Sequence, residues 1–205
     1  MGKIAFIFPG QGSQYVGMGK DFYDEIKESR LVFEEADDAL NMKLSSLVFE
    51  GTEEDLMKTE ITQPAVLTAS IAMLKALEKE GIDCDYTAGL SLGEYSSLVK
   101  SKAMSFSDTL RIVRERGKFM QEAVPQGVGG MAALLGLDRM YLPDVLEAAK
   151  DYGIVEVANY NSPEQIVISG ELKGIKISCK KAIELGAKKA VELPVSAPFH
   201  TSLLT

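Results

Sequence analysis

The chain begins with an unbroken run of apolar residues. Ile4–Phe8 is continuously apolar, and Pro9-Gly10 ends the run. A short run of this kind is typical of a strand that is buried on both faces, as in a parallel sheet. The acidic stretch that follows the next glycine-rich loop, about Asp21–Leu40, predicts a helix.

Further along, apolar positions recur at helical spacing. Ile71, Leu74 and Leu77 form a stripe on one helix face. Pro64 suits the first turn of a helix, because a helix does not use the N–H group that proline lacks there. Gly81 suits the position just after the last turn. The sequence therefore predicts a helix that begins near Pro64 and ends before Gly81.

The pattern changes at Pro125–Gly130, which has the glycine content of a linker or hinge. After it, strand and helix patterns follow the order β-α-β-β-α-β, the split βαβ unit of ferredoxin-like domains. The predicted strands are 131–135, 154–159, 165–169 and 189–193, the predicted helices are 143–152 and 172–185, and Asn161–Pro163 is a predicted turn. Pro194 is expected to end the last strand.

These elements predict an α/β protein with two lobes. Residues 1–125 are expected to form an α/β-hydrolase-like lobe with a parallel sheet and a nucleophile elbow. Residues 126–194 are expected to form a small, inserted ferredoxin-like α+β lobe. Residues 195–205 are expected to return to the large lobe.

Composition and charge exclude several classes of function. The 22 basic and 30 acidic residues leave a net charge of −8, which argues against nucleic-acid binding. No window approaches 18 consecutive apolar residues, so we expect no transmembrane helix. Two cysteines, Cys84 and Cys179, favour a reduced, cytoplasmic protein. A single histidine argues against the usual zinc sites.

The sharpest local motif is Gly89-Leu90-Ser91-Leu92-Gly93, which has the pattern G-x-S-x-G between a predicted strand and a predicted helix. In a nucleophile elbow, such a serine lies on a strained turn that exposes its hydroxyl, and the glycines permit the close turn. The N–H group of Leu92 would then point at a developing oxyanion. The motif alone also occurs by chance, and the strand–turn–helix context favours the catalytic interpretation.

A serine nucleophile needs a base, and His200 is the only histidine in the chain. An average lone histidine is a surface or packing residue, and that alternative stays open here. The order of serine before histidine matches α/β-hydrolase-like enzymes. Spacing assigns no third, orienting group.

A charged residue interrupts the apolar face of the next predicted helix, which has Ser107 as its expected N-cap and ends before Pro125. Arg116 shares a face with apolar residues, namely Ile112, Val113, Phe119 and Met120. A half-buried guanidinium is costly unless an anion pairs with it. Arg116 therefore extends to solvent, pairs with an internal carboxylate or binds a substrate carboxylate. Periodicity alone does not decide between these alternatives.

The loop Phe8–Gln14 follows the first predicted strand and is rich in glycine. It fits neither phosphate-binding pattern, since Tyr15 replaces the third glycine of G-x-G-x-x-G and no G-K-[ST] follows at the P-loop spacing. In an α/β sheet, ligands bind at this end of the strands. The loop either offers a second N–H group to an oxyanion or is only a tight structural turn.

Several stretches of the chain together resemble one family, the malonyl-CoA:acyl carrier protein transacylases, with the acyltransferase domains of polyketide synthases. The matching stretches are FPGQGSQYVGMG (8–19), TQPAVLTAS (62–70), GLSLGEYSSL (89–98), the Arg116 helix, GGMAALLG (129–136), ANYNSPEQIVISG (158–170) and LPVSAPFH (193–200). They follow the family's order along the whole chain, which is more specific than any single motif.

The resemblance implies a role for each matching residue. Ser91 would be the acyl nucleophile, and His200 its general base and acid. The N–H groups of Gln11 and Leu92 would form the oxyanion hole, and Arg116 would bind the malonyl carboxylate. The substrate site would also be lined by three polar residues and by the residue before the histidine, namely Gln63, Asn159, Asn161 and Phe199. Phe199 is similar to the malonyl-preferring form of its motif.

The chain departs from the family in two respects. Leu90 stands where the family usually has histidine, so we expect retained chemistry with altered packing or rate. The chain also stops five residues after His200, whereas family members continue with a C-terminal segment. The resemblance implies that this segment completes the large lobe and orients the histidine.

The activity implied by the resemblance is transfer of malonyl from malonyl-CoA to the phosphopantetheine thiol of acyl carrier protein, through a malonyl-serine intermediate. No bound cofactor or metal, no nucleic acid and no membrane are expected. A complete chain would be a monomer. Two alternatives stay open, a serine esterase or thioesterase of related fold and an inactive fragment that only docks the carrier protein.

Overall fold

The structure is a computed structural model that describes residues 2–124, 127–193, 195 and 197–204. Its contacts divide the chain between Lys118 and Phe119 into a first and a second compact unit. The predicted lobe limits fall at Pro125 and Pro194, outside the described residues, and stay predictions. The first two residues of the predicted linker, Pro125 and Gln126, also lie outside them.

The first unit combines a two-stranded parallel sheet with helices. In chain order its elements are β1 (Ala5–Phe8), α1 (Lys20–Glu25), α2 (Lys27–Leu40), α3 (Leu44–Glu50), α4 (Glu53–Met57), α5 (Thr59–Lys79), β2 (Tyr86–Gly89), α6 (Leu92–Lys100) and α7 (Phe106–Glu122), which continues into the second unit. Strand β1 pairs with β2 in parallel, with Ala5 opposite Tyr86 and Phe8 opposite Gly89. Within the described residues, no helix has both the length and the apolar composition needed to cross a membrane.

Strand β1 forms where the apolar run predicts it, but the prediction that it is buried on both faces is wrong. Phe6 and Phe8 pack against the core of the first unit, whereas Ile7 on the opposite face is 80% exposed. Successive side chains of a strand point to opposite faces, and described residues cover only the Phe6 and Phe8 face.

Helix α5 forms the centre of the first unit and is buried on nearly all sides. It begins at Thr59, so the predicted start at Pro64 is wrong. The hydroxyl of Thr62 donates to the carbonyls of Leu56 and Lys58 in the first turn, and Pro64 lies one turn further on. Burial of the whole helix outweighs the hydrogen bond that proline cannot donate to the preceding turn.

The predicted stripe of α5 holds in part. Ile71 and Leu74 are buried, but Leu77 is 39% exposed. Gly81 follows the helix in a left-handed conformation, as predicted, with a φ of 74°.

Two other helix boundaries differ from the prediction. Ile26, in an extended conformation, divides the predicted helix over 21–40 into α1 and α2. The N-terminal cap of α7 is Ser105 rather than Ser107. The Ser105 hydroxyl accepts the N–H of Asp108 at 3.2 Å and donates to the Asp108 carboxylate at 2.7 Å.

The second unit has the predicted β-α-β-β-α-β order. Its elements are β3 (Gly129–Leu135), α8 (Leu142–Glu147), β4 (Val155–Ser162), β5 (Gln165–Glu171), α9 (Leu172–Glu184) and β6 (Lys189–Glu192). The strand order is β4-β5-β3-β6, with every neighbouring pair antiparallel, which is the arrangement of a split βαβ unit. Strand β4 continues through Asn161 and Ser162, so the hairpin turn is shorter than predicted, and α8 ends before the predicted residue 152.

The sheet of the second unit has a different cover on each face. Alternate residues such as Ala132 and Ile168 pack in a core with Ile175 of α9. On the opposite face, Met131 and Val167 pack against apolar residues from the end of the chain. The segment after β6 therefore lies on the face of this sheet that is opposite α9.

We predict that Gly117→Ala destabilises the chain, because α7 approaches α5 too closely at Gly117 for a side chain. A Cβ atom there would lie 2.6 Å from the carbonyl oxygen of Thr59 and 2.8 Å from the Cα of Glu60. The free energy of unfolding, measured with urea, should fall by about 1–3 kcal/mol. The exposed Arg111→Ala on the same helix is the control and should change it by less than about 0.5 kcal/mol. An unchanged stability of Gly117→Ala would contradict the close approach.

Candidate active site

Ser91 lies on the turn between β2 and α6, as the motif predicts. Strand β2 ends at Gly89, and α6 begins at Leu92. Between them Ser91 has a φ of 53° and a ψ of −103°. A residue other than glycine rarely adopts a positive φ, and such strain persists where the surroundings enforce it.

Two glycines bring the start of α6 against the ends of both strands. A Cβ atom on Gly89 would overlap the backbone of Gly93, and one on Gly93 would overlap the carbonyl group of Phe8. Only glycine fits at either position. The close contact fixes Ser91 at the carboxyl end of the sheet, where an α/β protein binds its ligands.

The glycine-rich loop after β1 lies beside this turn. A Cβ atom on Gly10 would lie 2.8 Å from the carbonyl oxygen of Leu90. The hydroxyl of Ser13 donates to the Gly10 carbonyl at 2.9 Å and holds the loop in a tight turn. Gln11 follows Gly10 in this loop, and Leu92 is the first residue of α6. Their roles as N–H donors to an oxyanion stay a prediction.

Arg116 donates hydrogen bonds to two other predicted site residues. Its Nη1 donates to Oε1 of Gln63 at 2.8 Å, and its Nη2 donates to Oγ of Ser91 at 3.0 Å. Gln63 is fully buried on α5, so its amide is a fixed acceptor. Helices α5 and α7 and the turn before α6 therefore direct these side chains to one point.

Tyr95 is a further residue of this site and was not predicted from the sequence. The centre of its ring lies 5.6 Å from the Arg116 guanidinium carbon, within the range of a cation–π contact. Tyr95 is four residues after Ser91 on α6, hence on the same helix face. That spacing is the signal that could have found it.

The prediction of which apolar residues share a buried helix face with Arg116 is partly wrong. Val113 and Gly117 are buried, whereas Ile112 is 43% and Phe119 is 64% exposed. The buried face of α7 is turned away from the predicted one, because the helix packs against α5 through Gly117. Arg116 borders this buried face and is half-buried.

The charge of Arg116 is poorly compensated within the described part of the chain. It forms no ion pair there with a carboxylate, and its two described hydrogen bonds go to neutral oxygen atoms. Burial lowers the pKa of its guanidinium, although an arginine stays charged in proteins. The alternatives of an internal carboxylate and of extension to solvent thus lose support. The arrangement suits an anionic group of a ligand.

The other predicted site residues lie in the second unit. His200 is exposed and has a φ of 61°, and Phe199 before it is buried. Asn159 is half-buried on β4, and the amide of the exposed Asn161 donates to Gln165 at 3.4 Å. The role of His200 as the base for Ser91 stays a prediction.

Among residues 2–124, 127–193, 195 and 197–204, no group of three or more histidine, cysteine, aspartate or glutamate side chains is placed to hold a metal ion.

Comparisons with known proteins agree on one kind of relative. Residues 5–200 match the model of the acyl transferase domain family. The chain is 52% identical over 205 residues to malonyl CoA-acyl carrier protein transacylase of Bacillus subtilis, covering 100% of this chain and 65% of that protein. It thus spans about 65% of that relative's length.

Solved structures also resemble the chain. The crystal structure of malonyl CoA-acyl carrier protein transacylase from Clostridium perfringens has a TM-score of 0.93 and 50% identity, covering 99% of this chain and 64% of that one. The second is a malonyl-transacylase in complex with its type II PKS acyl-carrier protein. It has a TM-score of 0.95 and 41% identity, covering 99% of this chain and 66% of that one.

We predict that Ser91→Gly is more stable than Ser91→Ala. Both variants lose the hydroxyl and its hydrogen bond with Arg116, but only glycine adopts the positive φ without strain. Relief of about 1–3 kcal/mol of strain exceeds the cost of about 0.5–1 kcal/mol for the flexible unfolded glycine. The free energy of unfolding of Ser91→Gly should therefore be higher by about 1 kcal/mol. Equal or reversed stabilities would show that the turn is not strained.

Proposed function

The chain belongs to the acyl transferase domain family, and we propose that it transfers a malonyl group from malonyl-CoA to the phosphopantetheine thiol of acyl carrier protein. The observation that carries this proposal is the hydrogen bond from Arg116 to Oγ of Ser91. It joins a strained, nucleophile-like serine to a half-buried cation in one unit. A serine esterase for neutral acyl groups has no need of such a cation.

In the first half-reaction, Oγ of Ser91 attacks the thioester carbonyl carbon of malonyl-CoA. His200 takes the hydroxyl proton, and the N–H groups of Gln11 and Leu92 stabilise the oxyanion. The C–S bond then breaks, and the coenzyme A sulfur leaves with the proton that His200 returns. The product is a malonyl ester of Ser91.

In the second half-reaction, the carrier's phosphopantetheine thiol gives its proton to His200 and attacks the ester carbonyl. The C–O bond to Ser91 breaks, and Ser91 regains a proton from His200. Transfer is therefore ping-pong, with one histidine moving the proton in both directions. No metal ion or bound cofactor is needed for either step.

Arg116 selects the acyl group by its distance from the nucleophile. A carboxylate accepts two parallel hydrogen bonds from a guanidinium. Because the same guanidinium reaches Oγ of Ser91, the carboxylate that it binds must be close in the acyl chain to the carbonyl under attack. Malonyl, with one methylene between the two groups, meets this requirement better than longer dicarboxylic acyl groups.

Gln63 and Tyr95 support this arrangement. The Gln63 amide holds one edge of the guanidinium, and the Tyr95 ring lies beside it. Both contacts involve groups that carry no full charge, so they orient Arg116 without neutralising it. The cation stays available to the substrate carboxylate.

Acyl carrier protein is the proposed acceptor because of what the relatives are. Those from Bacillus subtilis and Clostridium perfringens are named as malonyl CoA-acyl carrier protein transacylases. One solved relative holds an acyl-carrier protein in complex with its malonyl-transacylase. These names support the same acceptor for this chain.

We predict that Arg116→Ala lowers the kcat/KM for malonyl-CoA by about 100-fold, since it removes the charged partner of a partly desolvated carboxylate. The rate with acetyl-CoA should stay the same or rise, because acetyl has no carboxylate. The kcat/KM of Arg116→Lys for malonyl-CoA should lie between those of the wild type and Arg116→Ala, since lysine keeps the charge without the two-pronged geometry. The measurement is transfer of labelled acyl groups to holo acyl carrier protein.

Arg111→Ala is the matched control, because Arg111 is an exposed arginine of the same helix. It should leave both rates unchanged. Equal losses with malonyl and acetyl in Arg116→Ala would contradict the carboxylate-binding role of Arg116.

A further inference from the structure

The segment that carries His200 is attached to the second sheet by apolar residues on both sides of the histidine. Ala197 and Phe199 are buried against Met131 and Val167, and Leu204 packs at the edge of the same cluster. These contacts fix where the segment lies on the sheet. They do not by themselves fix the orientation of the exposed residue between them.

His200 also has an unfavourable backbone conformation. Its φ of 61° is in the left-handed region, where a histidine pays a conformational cost. On one side, the hydroxyl of Thr201 donates to the carbonyl of Pro198 at 2.8 Å and closes the turn around His200. A strained residue persists only when its surroundings determine it from both sides.

Glu156 holds the backbone on the other side of His200. Its Oε2 accepts the backbone N–H of Ser202 at 2.7 Å, and its Oε1 accepts the Ser202 hydroxyl at 2.8 Å. Hydrogen bonds to a carboxylate are stronger than those between neutral groups, and two of them fix direction as well as distance. Ser202 is thereby held two residues after His200.

The register of the sheet explains why Glu156 reaches the segment. On β4, the neighbouring Val157 packs in the core under the helices, so Glu156 faces the opposite side. Glu156 pairs with Ser169, which in turn pairs with Met131, a residue beneath the segment. Among the described residues Glu156 forms no ion pair, and both of its described hydrogen bonds come from Ser202.

We propose that Glu156 is a positioning residue for His200, acting through Ser202. It holds the peptide after the histidine, so that the turn keeps its positive φ and the imidazole keeps one orientation. This inference rests on the proposed function, in which His200 moves the proton. The mechanism is geometric, since the carboxylate acts on the backbone through two hydrogen bonds rather than on the imidazole through its charge.

Nuclear magnetic resonance tests the proposal directly, because His200 is the only histidine of the chain. In the 205-residue chain with labelled histidine, relaxation of the imidazole signals reports the order of His200 without assignment and without activity. Glu156→Ala should increase the mobility of the imidazole. It should also lower the kcat for malonyl transfer by about threefold to tenfold, the loss expected for one or two exposed hydrogen bonds. The KM for malonyl-CoA should stay unchanged.

Three companion variants separate geometry from charge and from folding. Glu156→Gln should restore most of the order and rate, because an amide accepts the Ser202 N–H and donates to its hydroxyl. Ser202→Ala should have a smaller effect than Glu156→Ala, and the double variant should be no worse than Glu156→Ala alone. Glu147→Ala, which removes an exposed carboxylate of α8 in the same unit, should change neither the imidazole mobility nor the kcat.

Unchanged imidazole mobility in folded Glu156→Ala would overturn the proposal, whatever happens to the rate. So would a Glu156→Gln variant as impaired as Glu156→Ala, because charge would then be the cause. If Glu156→Ala does not fold, Ser202→Ala with wild-type mobility is the overturning result. If the wild-type chain transfers no malonyl at all, the proposed function fails, while the mobility measurements still decide the role of Glu156.

Discussion

The site of the first unit depends on one close contact, between the start of α6 and the ends of β1 and β2. Gly89 and Gly93 leave no space for side chains there, so backbone packs on backbone. At this contact Ser91 has a positive φ, and its hydroxyl accepts a hydrogen bond from Arg116. A larger residue at either glycine would separate the helix from the strands, and the serine would lose both its strain and its partner.

A second constraint is the cation that this contact places beside the serine. Burial of Arg116 costs free energy that its described neutral partners, Gln63 and Ser91, do not recover in full. A structure selected for stability alone would have a carboxylate or an apolar side chain there. Within the described residues Arg116 forms no ion pair, so its charge is best explained by a ligand that brings its own carboxylate, which agrees with malonyl as the proposed acyl group.

Local patterns predict much of this structure. The strand–turn–helix around Ser91, the order of the split βαβ unit and the family resemblance are confirmed, because turn glycines and alternating apolar residues act over a few positions. The start of α5 and the buried face of α7 could not be predicted. Each depends on contacts distant in sequence, such as Gly117 against Thr59. The hydrogen bond between Arg116 and Ser91 depends on such packing too, so hydrophobic periodicity could not identify the partners of Arg116.

The proposed mechanism requires that Ser91 accepts a malonyl group from malonyl-CoA. The most direct test is the intact mass of the chain after brief incubation with malonyl-CoA, with Ser91→Ala treated alongside. We predict a gain of one malonyl group in the wild-type chain and none in the variant. A folded wild-type chain without the adduct, or an adduct that persists in Ser91→Ala, would show that Ser91 is not the malonyl acceptor.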